Sequence, residues 1–193
     1  MFSHGSPPPH GLTDAEFGAL PVDRDTLDAL FSVTYEELRR LASSVRRGDP
    51  EATLSPTGLV NEAWLKLATS PPLQVTSRLH FKRIAARAMR QVLIEAARRR
   101  RAEKRGGAAN LVTFDDALDA AMTTSADDLL ALDAALDALA QINPRQALMV
   151  ESRFFGGLEV RETAELLAVS EATVLRDWRA ARAWLAVELR QTT

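Results

Sequence analysis

The chain has 193 residues, of which 46% are hydrophobic and 26% are charged. This length and composition are typical of a globular protein with one domain or two small ones. The formal net charge of −2 gives no sign of nucleic-acid binding over the whole chain, so any such sign must come from how the charge is distributed. The absence of cysteine excludes disulfides, thiolate catalysis and cysteine-ligated zinc.

The first 24 residues contain a run of three prolines, several glycines and little periodicity, which predicts a flexible tail at 1–24. This stretch lacks a basic start followed by an apolar run, so we expect no signal peptide. No segment approaches the roughly 18 uninterrupted apolar residues of a membrane helix. The sequence therefore predicts a soluble, cytoplasmic protein without a membrane association.

Apolar residues recur at helical spacing in three segments between residues 25 and 105. The predicted helices cover about 25–47, 57–68 and 78–104. The first ends near Gly48-Asp49-Pro50, the second starts near Pro56 or Thr57, and a loop with a proline pair at 69–77 precedes the third. These three helices predict a first helical domain.

The third predicted helix is strongly basic. Residues 78–105 contain eleven basic and two acidic residues, a balance of +9, so the rest of a chain of net charge −2 carries −11. A basic helix of this kind attracts phosphate with an affinity that falls as the salt concentration rises. The ordinary alternative is that arginines near a helix C-terminus complement the helix dipole and stay hydrated.

A second helical domain is predicted after a linker. Residues 106–127 start with a glycine pair and are rich in small and acidic residues, which favours an acidic linker. Four helices then follow over 128–190, and we expect Asp127 to cap the first of them. Asn143-Pro144 should separate the first helix from the second, and Gly156-Gly157 should end the second.

The last two helices have the pattern of a helix-turn-helix. Two apolar stripes flank a tight corner at 168–170, and Ser170 is a good N-cap for the second helix. If that helix packs through Val174, Trp178 and Ala181, its opposite face is available to a DNA major groove. The outward residues would be Ala172, Thr173, Arg176, Arg179 and Ala180. The ordinary alternative is a helical hairpin with a solvated charged side.

Six segments of the chain carry residues that occur together, in this order, in one protein family. They are Tyr35 to Leu41, Ser55 to Trp64, His80-Phe81, Ala85 to Arg90, Arg105 to Gly107 and Pro144 to Leu185. With them the chain resembles a bacterial sigma-70 family factor of the extracytoplasmic function (ECF) group, over about 25–190.

The resemblance implies an all-α protein of two small helical domains joined by a flexible linker. The domain at 25–105 is similar to sigma region 2, and the four-helix domain at 128–190, with its helix-turn-helix, is similar to sigma region 4. Such a factor binds core RNA polymerase, directs promoter-specific transcription initiation and assists DNA melting. The implied partners are core RNA polymerase, promoter DNA and an anti-sigma factor, and the free protein is expected to be a monomer.

The resemblance also implies roles for three sets of residues. The set that would bind polymerase is Leu59, Val60, Asn61, Glu62, Trp64 and Leu65. The set near the −10 element is Phe81, Arg83, Arg87, Arg90, Gln91 and Arg98, with Phe81 stacking on unpaired bases. The set that would read the −35 element is Ser170, Glu171, Ala172, Thr173, Arg176 and Arg179.

At three positions the sequence departs from the family pattern. Ala168 replaces the glycine that is usual at the turn, where a positive φ is often needed. Leu175 stands where a lysine or arginine is common on the recognition helix, which removes a phosphate contact. Lys82 follows Phe81 where a second large apolar residue is expected.

Other classes of protein remain open at this point. A stand-alone helix-turn-helix regulator would bind palindromic operators as a dimer, and the leucine stripe from Leu129 to Leu139 is a candidate dimer contact. A family member that binds polymerase or an anti-sigma protein without opening promoters would also fit. An enzyme is disfavoured, because the sequence has no phosphate loop and one histidine, His80, outside the tail. We therefore expect no catalytic residues, no metal and no cofactor.

Overall fold

A computed structural model describes residues 24–46, 54–71, 73–103 and 125–191 of the chain. These residues form seven α-helices and no strand, which confirms the all-α prediction. The helices are α1 (Arg24–Arg46), α2 (Pro56–Ala68), α3 (Arg78–Glu103), α4 (Ala126–Ile142), α5 (Pro144–Phe154), α6 (Val160–Leu166) and α7 (Glu171–Gln191). The predicted tail up to residue 23 and residues 106–124 of the predicted linker lie outside the described residues.

Helices α1, α2 and α3 form the first unit, here called the N-lobe. Ser55 caps α2 by accepting a hydrogen bond from the backbone N–H of Gly58, and Pro56 occupies the first turn. The apolar stripes of the three helices meet in one core, in which Phe31 stacks on Trp64 at a ring separation of 4.5 Å. Phe81 and Met89 of α3 are fully buried in this core, together with Leu38 of α1 and Val60 of α2.

Helices α4 to α7 form the second unit, here called the C-lobe. Ser125, and not Asp127, is the N-cap of α4, because its side chain and that of Asp128 form a reciprocal capping box. As predicted, Asn143 ends α4 and caps α5 with Pro144 in the first turn. The chain leaves α5 through Gly157 at a φ of +62°, a conformation that favours glycine.

The leucine stripe of α4 lies inside the C-lobe. Leu129, Leu132, Leu136 and Leu139 are all buried, and the last three pack in the core that α5 and α7 complete. Because these side chains are buried within a single chain, they do not form an exposed surface through which two copies could pair. The structure thus counts against this leucine stripe as a dimer contact.

The two lobes pack against each other along α3. Ala86 is fully buried in the C-lobe core, and Ile94 and Ala97 form a small cluster with Leu129. A Cβ atom on Gly156 would lie 3.0 Å from the Cβ of Ala86, so the glycine permits this close approach. One face of α3 therefore belongs to the N-lobe core, and another is covered by the C-lobe.

Candidate nucleic-acid interface

The turn between α6 and α7 is held by local hydrogen bonds. Ser170 Oγ accepts from the backbone N–H of Thr173 at 3.2 Å, which caps α7 as the sequence predicted. The Val169 N–H donates to the Ala164 carbonyl at 3.0 Å and closes the end of α6. Ala168 adopts a φ of +51°, the left-handed conformation in which a glycine is more usual. The turn is therefore formed without glycine, at some cost in backbone strain.

The orientation of α7 is fixed by its contacts with the rest of the C-lobe. Val174, Ala181 and Leu185 are buried in the core. The carboxylate of Asp177 accepts a hydrogen bond from the Arg145 guanidinium of α5 at 2.7 Å. The guanidinium of Arg153 also lies 4.2 Å from the centre of the Trp178 ring. These contacts determine which face of α7 is turned outward.

The outward face of α7 is open to solvent along its first three turns. Its exposed residues are Glu171, Ala172, Leu175, Arg176, Arg179 and Ala180. Thr173 is half-buried, because its backbone and hydroxyl contact Ser170. The structure therefore brings the residues of the predicted −35 set together on one surface, with Leu175 among them.

Arg90, from the predicted −10 set, is engaged by three carboxylates of the C-lobe. Its Nε donates to Asp133 at 2.9 Å, one terminal nitrogen donates to Asp137 at 2.7 Å, and the other donates to Glu151 at 2.9 Å. Only 13% of the Arg90 side chain is exposed. In this arrangement the guanidinium contacts α4 and α5 and does not face the solvent.

The pKa of Arg90 reflects this environment. Burial by itself lowers the pKa of the guanidinium, but the hydrogen bonds to Glu151, Asp137 and Asp133 outweigh that effect and raise the pKa above its ordinary value. The arginine therefore stays charged at any accessible pH. The contact between the lobes at this point is ionic and multidentate.

Lys82 forms a second ionic contact between the lobes. Its ammonium lies 3.2 Å from Glu37 of α1 and donates to Glu162 of α6 at 2.7 Å, with 6% of the side chain exposed. Burial raises the pKa of Glu162, but the hydrogen bonds from Lys82 and from the Glu159 backbone N–H are stronger and lower it overall. The unexpected lysine after Phe81 thus has a partner in each lobe.

The chain matches the family model of the ECF sigma factor over residues 22–191. It belongs to the ECF sigma factor family. Proteins of this family are initiation factors of transcription and not enzymes. No curated protein and no solved structure gives a significant match.

In this sigma factor the other members of the predicted −10 set have different environments. Arg87 and Gln91 are exposed on α3, and Arg98 is exposed while lying 3.5 Å from Asp133. Arg83 is half-buried and contacts the His80 ring nitrogen Nε2 at 2.8 Å. Their roles in promoter binding stay predictions.

Phe81 is fully buried in the N-lobe core, so its ring is not exposed for base stacking in this arrangement. The reason is its position: it shares one helical stripe with Ala85, Ala88 and Met89, and that stripe faces α1 and α2. Stacking on a base would require the ring to leave the core. The stacking role that the resemblance implies stays a prediction.

The predicted polymerase-binding set on α2 divides by helix face. Asn61 and Glu62 are exposed, and Leu65 is 55% exposed, which is unusual for a leucine. Leu59 and Val60 are buried in the N-lobe core and do not form part of its surface here, and their role in polymerase binding stays a prediction. Trp64 is half-buried between Phe31 and the Arg24 guanidinium, 5.5 Å from the ring centre.

The sequence reasoning missed the acidic partners of α3. Asp133 and Asp137 stand four residues apart on α4, so they lie on one helix face, and Glu151 joins them from α5. A signal was present, because the charge of −11 outside residues 78–105 must be distributed over the rest of the chain, and acidic residues at i and i+4 lie on one helix face. The sequence does not show that this surface faces α3.

Two classes of site are absent from the described part of the chain. No helix among these residues is long and apolar enough to cross a membrane. No group of three or more histidine, aspartate or glutamate side chains there could hold a metal ion.

Proposed function

We propose that this ECF sigma factor is a promoter-specificity subunit that binds core RNA polymerase, reads the −35 element with α7 and the −10 region with α3, and assists DNA melting. The observation that carries the proposal is the open face of α7, because it bears base-reading and phosphate-binding side chains on a helix of fixed orientation. The family match along the whole described fold supports the same function.

The chemistry of the α7 face suits a major groove. Side chains near the N-terminus of a recognition helix reach base edges, and arginines on the same face reach bases or phosphates. Arg176 is 72% exposed at its side chain, and Arg179 is exposed one turn further along. Glu171 lowers the net positive charge of this face, so α7 alone should bind DNA weakly.

The contacts of Arg90 explain why the free protein should bind promoters poorly. The guanidinium that would contact the −10 duplex is paired with Asp133, Asp137 and Glu151. Contact between Arg90 and a DNA phosphate therefore requires α4 and α5 to move away from α3. We expect core polymerase to supply that change, since it would hold the two lobes at the spacing of the two promoter elements.

Promoter binding and run-off transcription with and without core polymerase test the proposal. The free chain should bind a promoter fragment weakly and with strong salt dependence, whereas the chain with core polymerase should select promoters and start transcripts.

Replacing both Arg176 and Arg179 by alanine should abolish dependence on the −35 element and leave binding to core polymerase intact. Glu165→Gln, at an exposed position on α6, is the control. Tight, selective binding by the free chain would contradict the proposal.

A further inference from the structure

We infer that Leu175 contacts the 5-methyl group of a thymine in the promoter element that α7 reads, and that it thereby selects a methyl-bearing base at that position. The inference rests on the proposed function. It assigns a base-reading role to a residue whose sequence position suggested a lost phosphate contact.

The position of Leu175 is fixed by the packing of its helix. Leu175 is 41% exposed, whereas its neighbour Val174 is almost fully buried. Rotating α7 to bury Leu175 would remove Val174 from the core and break the ion pair between Asp177 and Arg145. The leucine therefore remains on the outward face, in the half of the helix that approaches base edges.

The surroundings of Leu175 leave its end free to reach a base. Side chains on a helix lean toward the N-terminus, so Leu175 extends over the turn that contains Ala172. Ala172 is exposed and short, so the leucine projects beyond it. In the first three turns of α7, Leu175 is the large apolar side chain on the open face.

Charge and polarity together point to DNA as the occupant of this face. Arg176 and Arg179 stand on the same face as Leu175 and offer two guanidinium groups to phosphates or guanines. Leucine has no hydrogen-bonding atom, so it cannot pair with the donors and acceptors of a base edge. The one apolar group that a base pair presents in the major groove is the thymine 5-methyl group.

Single exposed apolar residues are common on protein surfaces, so the test needs a matched control. Val187 provides it, because it is 47% exposed on the same helix but lies three turns beyond Leu175. Val187→Ala removes a similar exposed apolar group outside the proposed groove contact. Both substituted positions are exposed, so neither variant should lose the core of the C-lobe.

The experiment uses the full chain bound to core polymerase and a promoter fragment selected from a library randomised at the −35 element. Each thymine of the selected element is replaced in turn by deoxyuridine, which removes the methyl group and keeps the hydrogen-bonding edge. We expect the replacement at one or two positions to lower affinity about fourfold, the value for burying one methyl-sized group. Leu175→Ala should abolish this difference, and Val187→Ala should retain it.

Three results would overturn the inference. The first is that the holoenzyme selects promoters but keeps its affinity when deoxyuridine replaces thymine at any position. The proposed function would not be contradicted by that result. The second is a deoxyuridine effect that persists in Leu175→Ala, which would assign the methyl contact to another side chain. The third is that Leu175→Ala binds core RNA polymerase more weakly but keeps its base preference. Leu175 would then contact the polymerase and not the DNA. A holoenzyme without promoter selectivity would overturn the proposed function as well.

Discussion

Arg90 on α3 and Arg176 on α7 are the same kind of side chain but have opposite environments. On α3, Arg90 is buried against three carboxylates, whereas Arg176 on α7 is 72% exposed. The difference does not come from the arginines themselves. It comes from which acidic residues the fold places opposite them.

Charge separation along the chain explains the ionic contact around Arg90. The segment with a balance of +9 attracts phosphate, but it also attracts the −11 carried by the rest of the same chain. The acidic side chains of α4 and α5 pair with Arg90 of that segment. Part of the basic helix is therefore engaged in an intramolecular ionic contact.

The largest expected effect comes from removing the centre of the interlobe contact. Arg90→Ala leaves Asp133 and Glu151 at an interface where they are mostly buried and have lost their main cationic partner. We expect the free energy of unfolding to fall by about 2–3 kcal/mol, because breaking a buried pair leaves uncompensated charge. Urea denaturation of the variant and the parent chain measures this difference.

Arg87→Ala is the matched control for that variant, because Arg87 lies on the same helix but is exposed. Its unfolding free energy should stay within about 0.5 kcal/mol of the parent. Equal losses in the two variants would show that the ionic contact around Arg90 contributes nothing specific. The lobes would then be held by apolar packing and by the contact of Lys82 with Glu37 and Glu162.

Weakening the acidic side of the same contact should open the α3 surface. The double variant Asp133→Asn/Glu151→Gln removes two of the three carboxylates around Arg90. We expect the free chain to bind a promoter fragment roughly tenfold more tightly at low salt, since DNA no longer competes with these groups. Fluorescence anisotropy of a labelled duplex measures the change.

The control for the tenfold gain must raise the net charge equally without touching α3. Glu62→Gln/Glu165→Gln does this, because both residues are exposed on α2 and α6. If this pair improves binding as much as the first, the gain reflects total charge and not release of Arg90. The contrast between the covered and the open surface would then have no functional meaning.

Much of the fold was predictable from local patterns. Helix boundaries followed apolar periodicity, proline at first turns and capping side chains such as Ser55, Asn143 and Ser170. The outward face of α7 followed from the same reasoning, because burial of Val174 and Ala181 fixes the rest of the helix by geometry. These features depend on residues within a few turns of one another.

The covered surface of α3 was not predictable in the same way. Ala86 and Arg90 look like a small helix residue and a solvated charge until the C-lobe is placed beside them. Their partners lie more than 40 residues away in sequence, beyond the predicted linker. Phe81 is a related case, because the resemblance suggested a ring available for base stacking, whereas its helical stripe places the ring in the core.

The turn that sets the open face of α7 can be relieved of strain. Ala168 has a φ of +51°. This conformation costs an L-residue about 1–2 kcal/mol relative to glycine. Replacing alanine by glycine recovers only part of that energy, because glycine also has more conformational entropy to lose from the unfolded chain. We expect Ala168→Gly to raise the free energy of unfolding by about 0.5–1 kcal/mol. The control, Ala183→Gly at an exposed position inside α7, should lower it by a similar amount. Urea denaturation distinguishes the two, and a loss in both would place Ala168 in an unstrained conformation.

The smallest expected effect is a pH dependence at the start of α3, where His80 contacts the preceding loop. Nε2 of His80 accepts from Arg83 at 2.8 Å, and Nδ1 lies 3.0 Å from the Thr76 hydroxyl, an arrangement that suits the neutral ring. Burial and the Arg83 charge lower the pKa of His80. The folded state therefore binds the proton less readily than the unfolded state does.

The stability that His80 contributes is thus present above its unfolded pKa of about 6.5 and is lost as the pH falls through the lower folded value. The melting temperature of the parent chain should fall more between pH 7.5 and 5.5 than that of His80→Gln, which keeps a hydrogen-bonding side chain and cannot take up the proton in this range. The effect should be small, because the ring is only half-buried at one end of α3. If the melting temperatures of both proteins fall by the same amount, the proton is taken up at a group other than His80. That group is not Arg90, because its guanidinium does not titrate in this range.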